Sequence, residues 1–437
     1  MLSNFLKPGM VSKSEELKNN PVWHPFTSLQ SNNPEILIDS AKGVHLYTKD
    51  GKKIIDAVSS WWVNIHGHGN EYLAEAIYKQ ALQLEHVIFA GFTHQPAISL
   101  AERLIKLLPG NQEKIFFSDN GSTAVEVAIK MALQYWCNLG IEKKRIIALQ
   151  GSYHGDTFGA MSVGERNTFN QAFSSYLFDV DFLEFPGKNT EENVLKQFEM
   201  LAKSGEIAAF IYEPLLQGAA GMRTYSASIL NQLLGLAKKH NIVCIADEVL
   251  TGFGRTGKFF ASEYMENMPD IISLSKGLTG GTMPMGVTAC NKKIISAFEN
   301  SDKNKTFYHG HSYTANPLGC AAANASLDLL LKEECRNNID RINASHNEYA
   351  EKISGNKNIA KICLLGTMIS IELKTQEESS YFNKQRDNFY NFFLAKNILI
   401  RPLGNTIYIL PPYIISDEEL SIIYAAIDEL LKSLDIE

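Results

Sequence analysis

The middle of the chain repeats one unit, in which a short apolar run leads into a glycine-rich loop and then into a helix-like segment. The apolar runs lie at residues 115–117, 145–149, 208–212, 242–246 and 271–274, and the clearest helical patterns at 122–135 and 230–240. The runs do not alternate apolar with polar residues, which is typical of strands buried on both faces of a parallel sheet. We therefore expect an α/β fold with a large, mostly parallel sheet that binds ligands at the carboxyl ends of its strands.

Both ends of the chain differ from this central part. They lack the regular alternation and carry more charge. The C-terminal end has two helical patterns and two extended runs, at 335–353, 417–434, 367–373 and 407–410. We predict that residues 1–58 and 331–437 form a smaller α+β domain together, beside a large domain that spans residues 59–330.

Charge and hydropathy exclude some classes of partner. The sequence has 41 basic and 48 acidic residues, a net charge of −7, so net attraction gives no basis for binding nucleic acid or an anionic membrane. Small anionic ligands stay possible, because they need only local positive charge. The longest uncharged run, residues 306–327, includes His309, His311 and Pro317 and is too polar for a transmembrane helix.

The N-terminus and the cysteines indicate where the protein works. Residues 1–20 contain no apolar stretch of signal-peptide length. The 6 cysteines are scattered without a CxxC pair, which is typical of reduced thiols. We expect a cytoplasmic protein.

The most specific local feature is a carboxylate and an amine at two strand ends. Asp247 follows the run at 242–246 and Lys276 follows the run at 271–274, so both are expected at the same edge of the sheet. Pyridoxal phosphate suits this pair, because its aldehyde forms a Schiff base with a lysine and an acid keeps its pyridine nitrogen protonated. A structural ion pair is the alternative, and these two residues alone leave it open.

Two further loops favour the same cofactor. Gly121 and Ser122 belong to the loop at 119–123, between an apolar run and a helical pattern, where backbone N–H groups and two hydroxyls would face an anion at a helix N-terminus. An ordinary helix cap is the alternative. Tyr153 follows the run at 145–149 and offers a ring that can stack on a planar group, unless it is simply a surface residue in a turn.

A glycine-rich stretch competes with this interpretation. Residues 252–258 match GxGxxG and the first seven positions of a phosphate-loop pattern. The phosphate loop requires Ser or Thr next, where this chain has Phe259, and residues 248–251 separate the glycines from the preceding strand. We therefore favour an active-site loop that presents Arg255 over a nucleotide site.

The remaining conspicuous residues give weaker signals. The two His-Gly-His motifs, at 66–68 and 309–311, have no third ligand at a recognisable spacing, so no metal site is expected. Trp61 and Trp62 cannot both enter one core face. We expect one indole to pack and the other to line a pocket.

In combination, these motifs resemble a known family. Those at 246–249, 251–257 and 276–281 are similar to the class III aminotransferases of pyridoxal-phosphate fold type I. Others resemble the branch of that class that aminates 8-amino-7-oxononanoate in biotin synthesis, and they lie at 23–27, 59–62, 153–163, 316–318 and 401–404. The similarity runs from about residue 21 to residue 413. The resemblance implies the fold type I architecture, pyridoxal phosphate as cofactor, and a homodimer.

The resemblance also implies a role for each matching residue of the cofactor site. Lys276 would form the Schiff base and later shuttle the proton, and Asp247 would pair with the pyridinium nitrogen. Gly121 and Ser122 would bind the phosphate, and Tyr153 would stack on the ring.

Further implied roles concern the substrate and the second subunit. His311 and Ser312, preceded by Gly310, would reach the cofactor phosphate from the partner subunit. Arg401 would hold the substrate carboxylate with its planar guanidinium fork. The expected substrate-binding residues are Phe26, Trp61, Tyr153, Arg255, Lys276, Gly310 and Arg401.

The amino donor stays open at this point. Trp61 beside Trp62 favours S-adenosylmethionine, whereas the motif at 309–313 resembles a branch that uses lysine. Phe26 stands where many members have tyrosine, so a hydrogen bond from that hydroxyl to the substrate is absent. An ω-aminotransferase for another amine, such as ornithine or 4-aminobutyrate, and an NAD-dependent oxidoreductase built on residues 252–257 are the other hypotheses.

Overall fold

The structure is a computed structural model, and it describes residues 20–29, 35–375, 383 and 385–434. Residues 1–19, which hold most of the segment in which no signal peptide is expected, lie outside the described residues. Within the described residues, no helix combines the length and the apolarity that a bilayer span requires.

The strands and helices follow one another along the whole described chain. The strands are β1 (Ile38–Lys42), β2 (His45–Thr48), β3 (Lys53–Asp56), β4 (Gln112–Ser118), β5 (Arg145–Leu149), β6 (Asp181–Leu183), β7 (Ile207–Tyr212), β8 (Leu216–Gln217), β9 (Arg223–Thr224), β10 (Val243–Asp247), β11 (Ile271–Leu274), β12 (Gly286–Asn291), β13 (Ile359–Leu365), β14 (Met368–Leu373), β15 (Ile398–Leu399) and β16 (Thr406–Ile409). The α-helices are Ser59–Trp62, Glu71–Gln83, Gln95–Leu107, Gly121–Asn138, Phe158–Val163, Glu191–Ala202, Ala227–Lys239, Lys292–Ser296, Pro317–Leu330, Glu333–Ile353, Gln385–Ala395 and Asp417–Ser433. Short 3-10 turns lie at Gln171–Tyr176, Ala261–Tyr264, Lys276–Thr279 and Lys303–Lys305.

A seven-stranded sheet forms the centre of the fold, in the order β4-β12-β11-β10-β7-β5-β6. Neighbours from β11 to β6 pair in parallel, whereas β12 is antiparallel to both β11 and β4. The sequence prediction of an α/β fold with a large, mostly parallel sheet is confirmed. Each predicted apolar run corresponds to one of its strands, shifted by a few residues at most.

Alternate residues of the central strands belong to two separate hydrophobic clusters. Val243 and Ile245 of β10 pack in a cluster with the helix Gly121–Asn138, whereas Cys244 and Ala246 pack in a cluster with the helix Ala227–Lys239. Both faces of the sheet are therefore covered by apolar helices. This explains why the strands are apolar throughout, even though successive side chains point to opposite faces.

Two smaller sheets carry the remaining long strands. One has the order β1-β2-β3-β15, and β3 pairs in parallel with β15. The other is antiparallel, with the order β13-β14-β16. The β3–β15 pair joins the two ends of the chain, while the domain boundaries at residues 58 and 330 stay a prediction.

Candidate active site

Polar side chains gather where neighbouring parallel strands of the central sheet end. In sheet order these strands are β11, β10, β7 and β5. Lys276 lies shortly after β11, Asp247 is the last residue of β10, and Glu213 directly follows β7. Tyr153 and His154 lie in the loop after β5. The parallel pairing therefore brings five chemically active side chains to one edge of the sheet.

Asp247 pairs with a histidine rather than with the lysine. Its Oδ2 lies 2.7 Å from Nδ1 of His154, and its Oδ1 accepts a hydrogen bond from the backbone N–H of Val249 at 3.1 Å. Both partners of the histidine pair are almost completely buried. Among the described residues no carboxylate lies within ion-pair distance of Lys276, so the alternative of a structural Asp247–Lys276 pair is not what the chain forms.

Lys276 presents its amine in a desolvated position. Its Nζ lies 4.5 Å from the ring centroid of Trp62. Burial lowers the pKa of the amine to about 8, although the nearby charges of Asp247 and Glu213 raise it. A larger neutral fraction at physiological pH makes the amine a better nucleophile. The residue also has φ = +43°, a strained conformation for a residue with a side chain.

The helix Gly121–Asn138 begins with a cap that leaves Ser122 available. The side chain of Asn120 accepts the N–H of Thr123 at 2.9 Å, and the Thr123 hydroxyl accepts the N–H of Asn120 at 3.1 Å. Capping is therefore carried out by residues on either side of Gly121 and Ser122. The start of this helix lies beside the site, since a Cβ on Gly121 would be 2.9 Å from Val249 and 3.7 Å from Ser275, and a helix N-terminus can bind an anion through its first N–H groups.

The loop that carries Tyr153 approaches this helix closely. The Ser122 hydroxyl accepts the N–H of Asp156 at 3.2 Å. Gly155 has φ = +126°, and a Cβ on it would lie 2.1 Å from the Ser122 hydroxyl oxygen. Only glycine fits there, because both the conformation and the space exclude a side chain. The Tyr153 ring itself is 38% exposed, and its hydroxyl donates to Asp156.

The residues that we expect at the substrate end of the site are aromatic side chains and one arginine, and they lie together. The ring centroid of Trp61 lies 5.6 Å from that of Phe26, and the Arg401 guanidinium lies 4.5 Å from the Trp61 ring. Phe26 also contacts Phe169 edge to face. Sequence analysis did not identify Phe169, which lies in a loop without a motif. These aromatic groups and Arg401 can accept a ligand with both an apolar chain and a carboxylate.

One of the two adjacent tryptophans packs in the interior and the other is exposed. Trp62 is buried and donates a hydrogen bond from its indole N–H to the hydroxyl of Tyr408, whereas Trp61 is 38% exposed. The short helical segment that carries them, Ser59–Trp62, has an irregular and strained backbone, since Ser59, Ser60 and Trp62 all have positive φ. Buried Asp56 holds this turn by accepting the N–H of Ser60.

Arg255 does not reach the substrate end. It is buried, and its terminal nitrogens donate to the carbonyl oxygens of Pro411, Trp62 and Asn64. The structure thus assigns this guanidinium to holding three backbone segments together, in place of the substrate contact expected from the sequence. Residues 248–260 form turns in which no helix begins, so the stretch also lacks the strand-to-helix context of a dinucleotide site.

The segment with Gly310, His311 and Ser312 stays apart from the cofactor residues of its own chain. The backbone N–H of His311 donates to Thr314, and the N–H of Tyr313 donates to Nδ1 of His311. The hydrogen bonds of this segment are therefore local. The neighbouring His309 contacts Lys130 of the helix Gly121–Asn138 at 3.0 Å, but among the described residues this segment forms no hydrogen bond with Gly121 or Ser122.

Two residues of the buried edge, Glu213 and His154, were not predicted from the sequence. The oxygens of Glu213 accept the N–H groups of Tyr153 and Gly218, each at 3.1 Å. Burial raises the pKa of this carboxyl group to about 7, and Asp247 also raises it, whereas His154 lowers it. The signal was present, because Glu213 directly follows an apolar run, the same position that identified Asp247.

Comparison with known proteins adds independent findings. Residues 26–431 match the sequence profile of the family described as aminotransferase class-III. A relative from Synechococcus elongatus, named adenosylmethionine-8-amino-7-oxononanoate aminotransferase, is 46% identical over 421 residues, which cover 94% of this chain and 99% of the relative.

Solved structures agree with the sequence matches. A crystal structure of the enzyme of that name from Methanocaldococcus jannaschii is similar with a TM-score of 0.89 and 34% identity, covering 95% of this chain and 98% of that one. An amine transaminase from an uncultivated Pseudomonas species, in a form with bound pyridoxal phosphate, has a TM-score of 0.89 and 29% identity, covering 94% and 98%.

Proposed function

The chain belongs to the class III aminotransferases, and we propose that it transfers an amino group to the 7-keto carbon of 8-amino-7-oxononanoate, forming 7,8-diaminononanoate in biotin biosynthesis. The observation that carries this function is Lys276, a desolvated amine that forms no ion pair with any carboxylate of the described residues, at the strand edge that also holds the His154–Asp247 pair. The near full-length similarity to a relative of that name supports the choice of substrate.

The residues present fit pyridoxal phosphate, the cofactor of this family. Lys276 offers an amine with a lowered pKa, and the helix that begins at Gly121 offers the N–H groups of its first turn. The glycine at 155 leaves space that a side chain would fill beside Ser122. When bound, pyridoxal phosphate supplies an electron sink for the pair released at the carbon that carries the amino group.

Each residue then has a defined task. Lys276 binds the cofactor aldehyde and afterwards carries the proton removed from the donor carbon. Asp247, with His154 bonded to its Oδ2, holds the proton on the pyridine nitrogen. Gly121 and Ser122 would hold the phosphate through the helix N-terminus, and the Tyr153 ring would stack on the cofactor.

The substrate end distinguishes the molecules that are admitted. Arg401 can bind the carboxylate of 8-amino-7-oxononanoate through two parallel hydrogen bonds, while Trp61 and Phe26 contact its alkyl chain. Two unlike molecules must enter in turn, the donor and the acceptor. Exposed aromatic walls suit this requirement, because they adapt to different shapes more readily than a closed polar pocket does.

We further propose S-adenosylmethionine as the amino donor, with lysine as the alternative that the motif at 309–313 keeps open. The deciding experiment mixes the purified holoenzyme with each donor separately and follows the visible absorbance of the cofactor. We expect S-adenosylmethionine to bleach it. Bleaching by lysine alone would reassign the donor. Turnover of ornithine or 4-aminobutyrate with no turnover of 8-amino-7-oxononanoate would make the protein an ω-aminotransferase instead.

The proposal includes a homodimer in which Gly310, His311 and Ser312 complete the neighbouring site. The local hydrogen bonding of this segment and the exposure of Tyr308 and Tyr313 beside it support this assignment. A dimer in solution whose cofactor affinity falls in Ser312→Ala is expected. A monomer that binds the cofactor fully would contradict it. The cytoplasmic location also remains a proposal, supported by the 6 cysteines, none of which is in a disulfide.

A further inference from the structure

The carboxylate of Glu213 has no task in the reaction described so far, although it lies at the centre of the buried edge. Glu213 is 5% exposed and follows β7, between the strands that end near Asp247 and near Tyr153. Burying a carboxylate is unfavourable unless its oxygens are hydrogen-bonded. The partners of these oxygens therefore indicate what the residue does.

Glu213 joins two backbone segments that flank the site. Its Oε1 accepts the N–H of Tyr153 and its Oε2 accepts the N–H of Gly218, both at 3.1 Å. Gly218 itself lies against Trp62, since a Cβ on it would be 3.5 Å from the indole. One carboxylate thus links the loop of the ring-covering tyrosine to the segment that packs on the tryptophan beside Lys276.

Several charged and titratable groups face this carboxylate. His154 and Asp247 act on it from the neighbouring strand ends, and Lys276 from the segment after β11. Tyr225 and Arg223 act on it from the segment around β9. Since protonation removes one acceptor from a carboxylate, the link to the two N–H groups depends on the charge of Glu213.

On the basis of the proposed function, we propose that ionised Glu213 is a positioning residue that fixes the backbone of Tyr153, and through it the ring that covers the cofactor. It does not touch the reacting atoms. It acts through the Tyr153 N–H, in the same way that a hydrogen-bonded neighbour orients a metal ligand. Removing the ionised acceptor should release the loop without disturbing Arg401 at the substrate end.

Glu213→Gln tests this, with Glu248→Gln as a matched control. Glu248 is also buried, and its oxygens accept the N–H groups of Ala261 and Ser262 at 3.0 and 2.7 Å. Both variants lose one ionised acceptor of two backbone N–H groups. Only the Glu213 variant replaces the ionised acceptor that serves the Tyr153 N–H, because glutamine offers one uncharged amide oxygen for two N–H groups.

The first measurement is hydrogen–deuterium exchange of the peptide that contains Tyr153, in the full-length apoprotein. We expect exchange to be about 10- to 100-fold faster in Glu213→Gln than in the wild type, the usual range for one hydrogen bond to a charged group. Glu248→Gln should leave this peptide unchanged. Equal exchange of the Tyr153 peptide in the two variants would overturn the proposal.

Two further measurements cover folding and function. In wild-type apoprotein, exchange of the Tyr153 peptide, corrected for the intrinsic rate, should increase as the pH falls through about 7, which decides the matter even if the variant fails to fold. In the holoenzyme, Glu213→Gln should lower kcat and shift the visible absorbance while KM for 8-amino-7-oxononanoate stays within twofold. A wild type that binds no pyridoxal phosphate would refute the proposed function, whereas the apoprotein exchange still tests Glu213.

Discussion

The two ends of the site are built on different principles. At the cofactor end, His154, Asp247 and Glu213 are each at most 5% exposed and follow strands of the central sheet. At the substrate end, Trp61 and Phe26 are 38% and 44% exposed and lie outside the central sheet. The chemistry that a family shares thus lies on rigid elements, and the selection of substrate lies on adaptable aromatic surfaces.

Electrostatics separates the two ends as well. The cofactor end holds two carboxylates, a histidine and a lysine in a desolvated space. Burial raises the pKa of Glu213 and lowers the pKa of Lys276, which favours the neutral form of each side chain. The substrate end has one guanidinium that rests on an indole ring. Substitutions at the first should therefore disturb chemistry and pH dependence, and those at the second should disturb recognition.

The largest effect is expected for Lys276→Ala. Proton transfer by a positioned side chain alone contributes about 10²–10⁴-fold to a rate, and the variant also loses its covalent link to the cofactor. We expect turnover to fall by at least that factor and the visible absorbance to be lost. Lys143→Ala is the matched control, because Lys143 also lies over an indole, at 4.3 Å from the Trp136 ring. Similar losses in both variants would contradict the role of Lys276.

Gly155→Ala should weaken cofactor binding, because the cofactor end has no room for a side chain at this position. The new Cβ would lie 2.1 Å from the Ser122 hydroxyl oxygen, at a φ of +126°, so the Tyr153 loop must move away from the helix N-terminus. Strain of about 1–3 kcal/mol corresponds to an increase of about 5- to 150-fold in the Kd for pyridoxal phosphate, measured by fluorescence titration. Gly51→Ala imposes a positive φ of +87° with no atom within 4 Å. It should lower Tm without changing this Kd.

Arg401→Lys should act on the substrate end only. The lysine keeps the charge but loses the planar fork, and a hydrogen bond to a charged group contributes about 1.5–3 kcal/mol. We expect KM for 8-amino-7-oxononanoate to rise about 10- to 100-fold, while the cofactor absorbance is unchanged. Arg336→Lys, in a surface pair with Asp340, serves as control. A changed cofactor spectrum in Arg401→Lys would show that the two ends are not independent.

A pH dependence of apoprotein stability is also expected, and it belongs to the cofactor end. Glu213 keeps its proton up to about pH 7 when folded but has an ordinary pKa of 4.5, so the free energy of unfolding should fall as pH rises between these values. Lys276 loses its proton at about pH 8 when folded and has an ordinary pKa of 10.5, so stability should rise again across that window. The cofactor end is therefore least stable in the apoprotein between about pH 7 and 8.

Urea titrations of the apoprotein at a series of pH values from about 4.5 to 10.5 measure how its free energy of unfolding depends on pH. Glu213→Gln should flatten the acidic limb and Lys276→Met the alkaline limb, each leaving the other limb in place. Arg401→Lys should leave both limbs unchanged. A profile that the first two substitutions do not alter would refute the assignment.

Much of the cofactor end could be predicted from the sequence because its residues are positioned locally. Asp247 and Lys276 each follow an apolar run, and a parallel sheet brings such positions to one edge. Glu213 obeys the same rule and could have been found with it. His154 could not be assigned to Asp247 in this way, because their contact depends on how far the loop after β5 reaches across the sheet.

The substrate end depends on contacts between distant segments, which sequence patterns do not show. The guanidinium of Arg255 was expected to face the substrate, but its position is decided by the carbonyl oxygens of Trp62, Asn64 and Pro411. Likewise, the apolar ring of Phe169 carries no signal in its loop. The sequence predicted which residue types are present there, and the folded chain determines which of them meet.

Because β3 pairs with β15, the cofactor end and the substrate end of the site form at different times during synthesis. Trp61 lies just beyond β3 and Arg401 just beyond β15, and the register joins Ile55 to Ile398 and Asp56 to Leu399. A ribosome releases the chain from its N-terminus, so β3 must wait for nearly the whole remainder before its partner exists. Contacts of such long range form late, because closing the loop between them is entropically unfavourable. A nascent chain can thus complete the strand edge with Lys276 before Arg401 is in place to bind a substrate carboxylate.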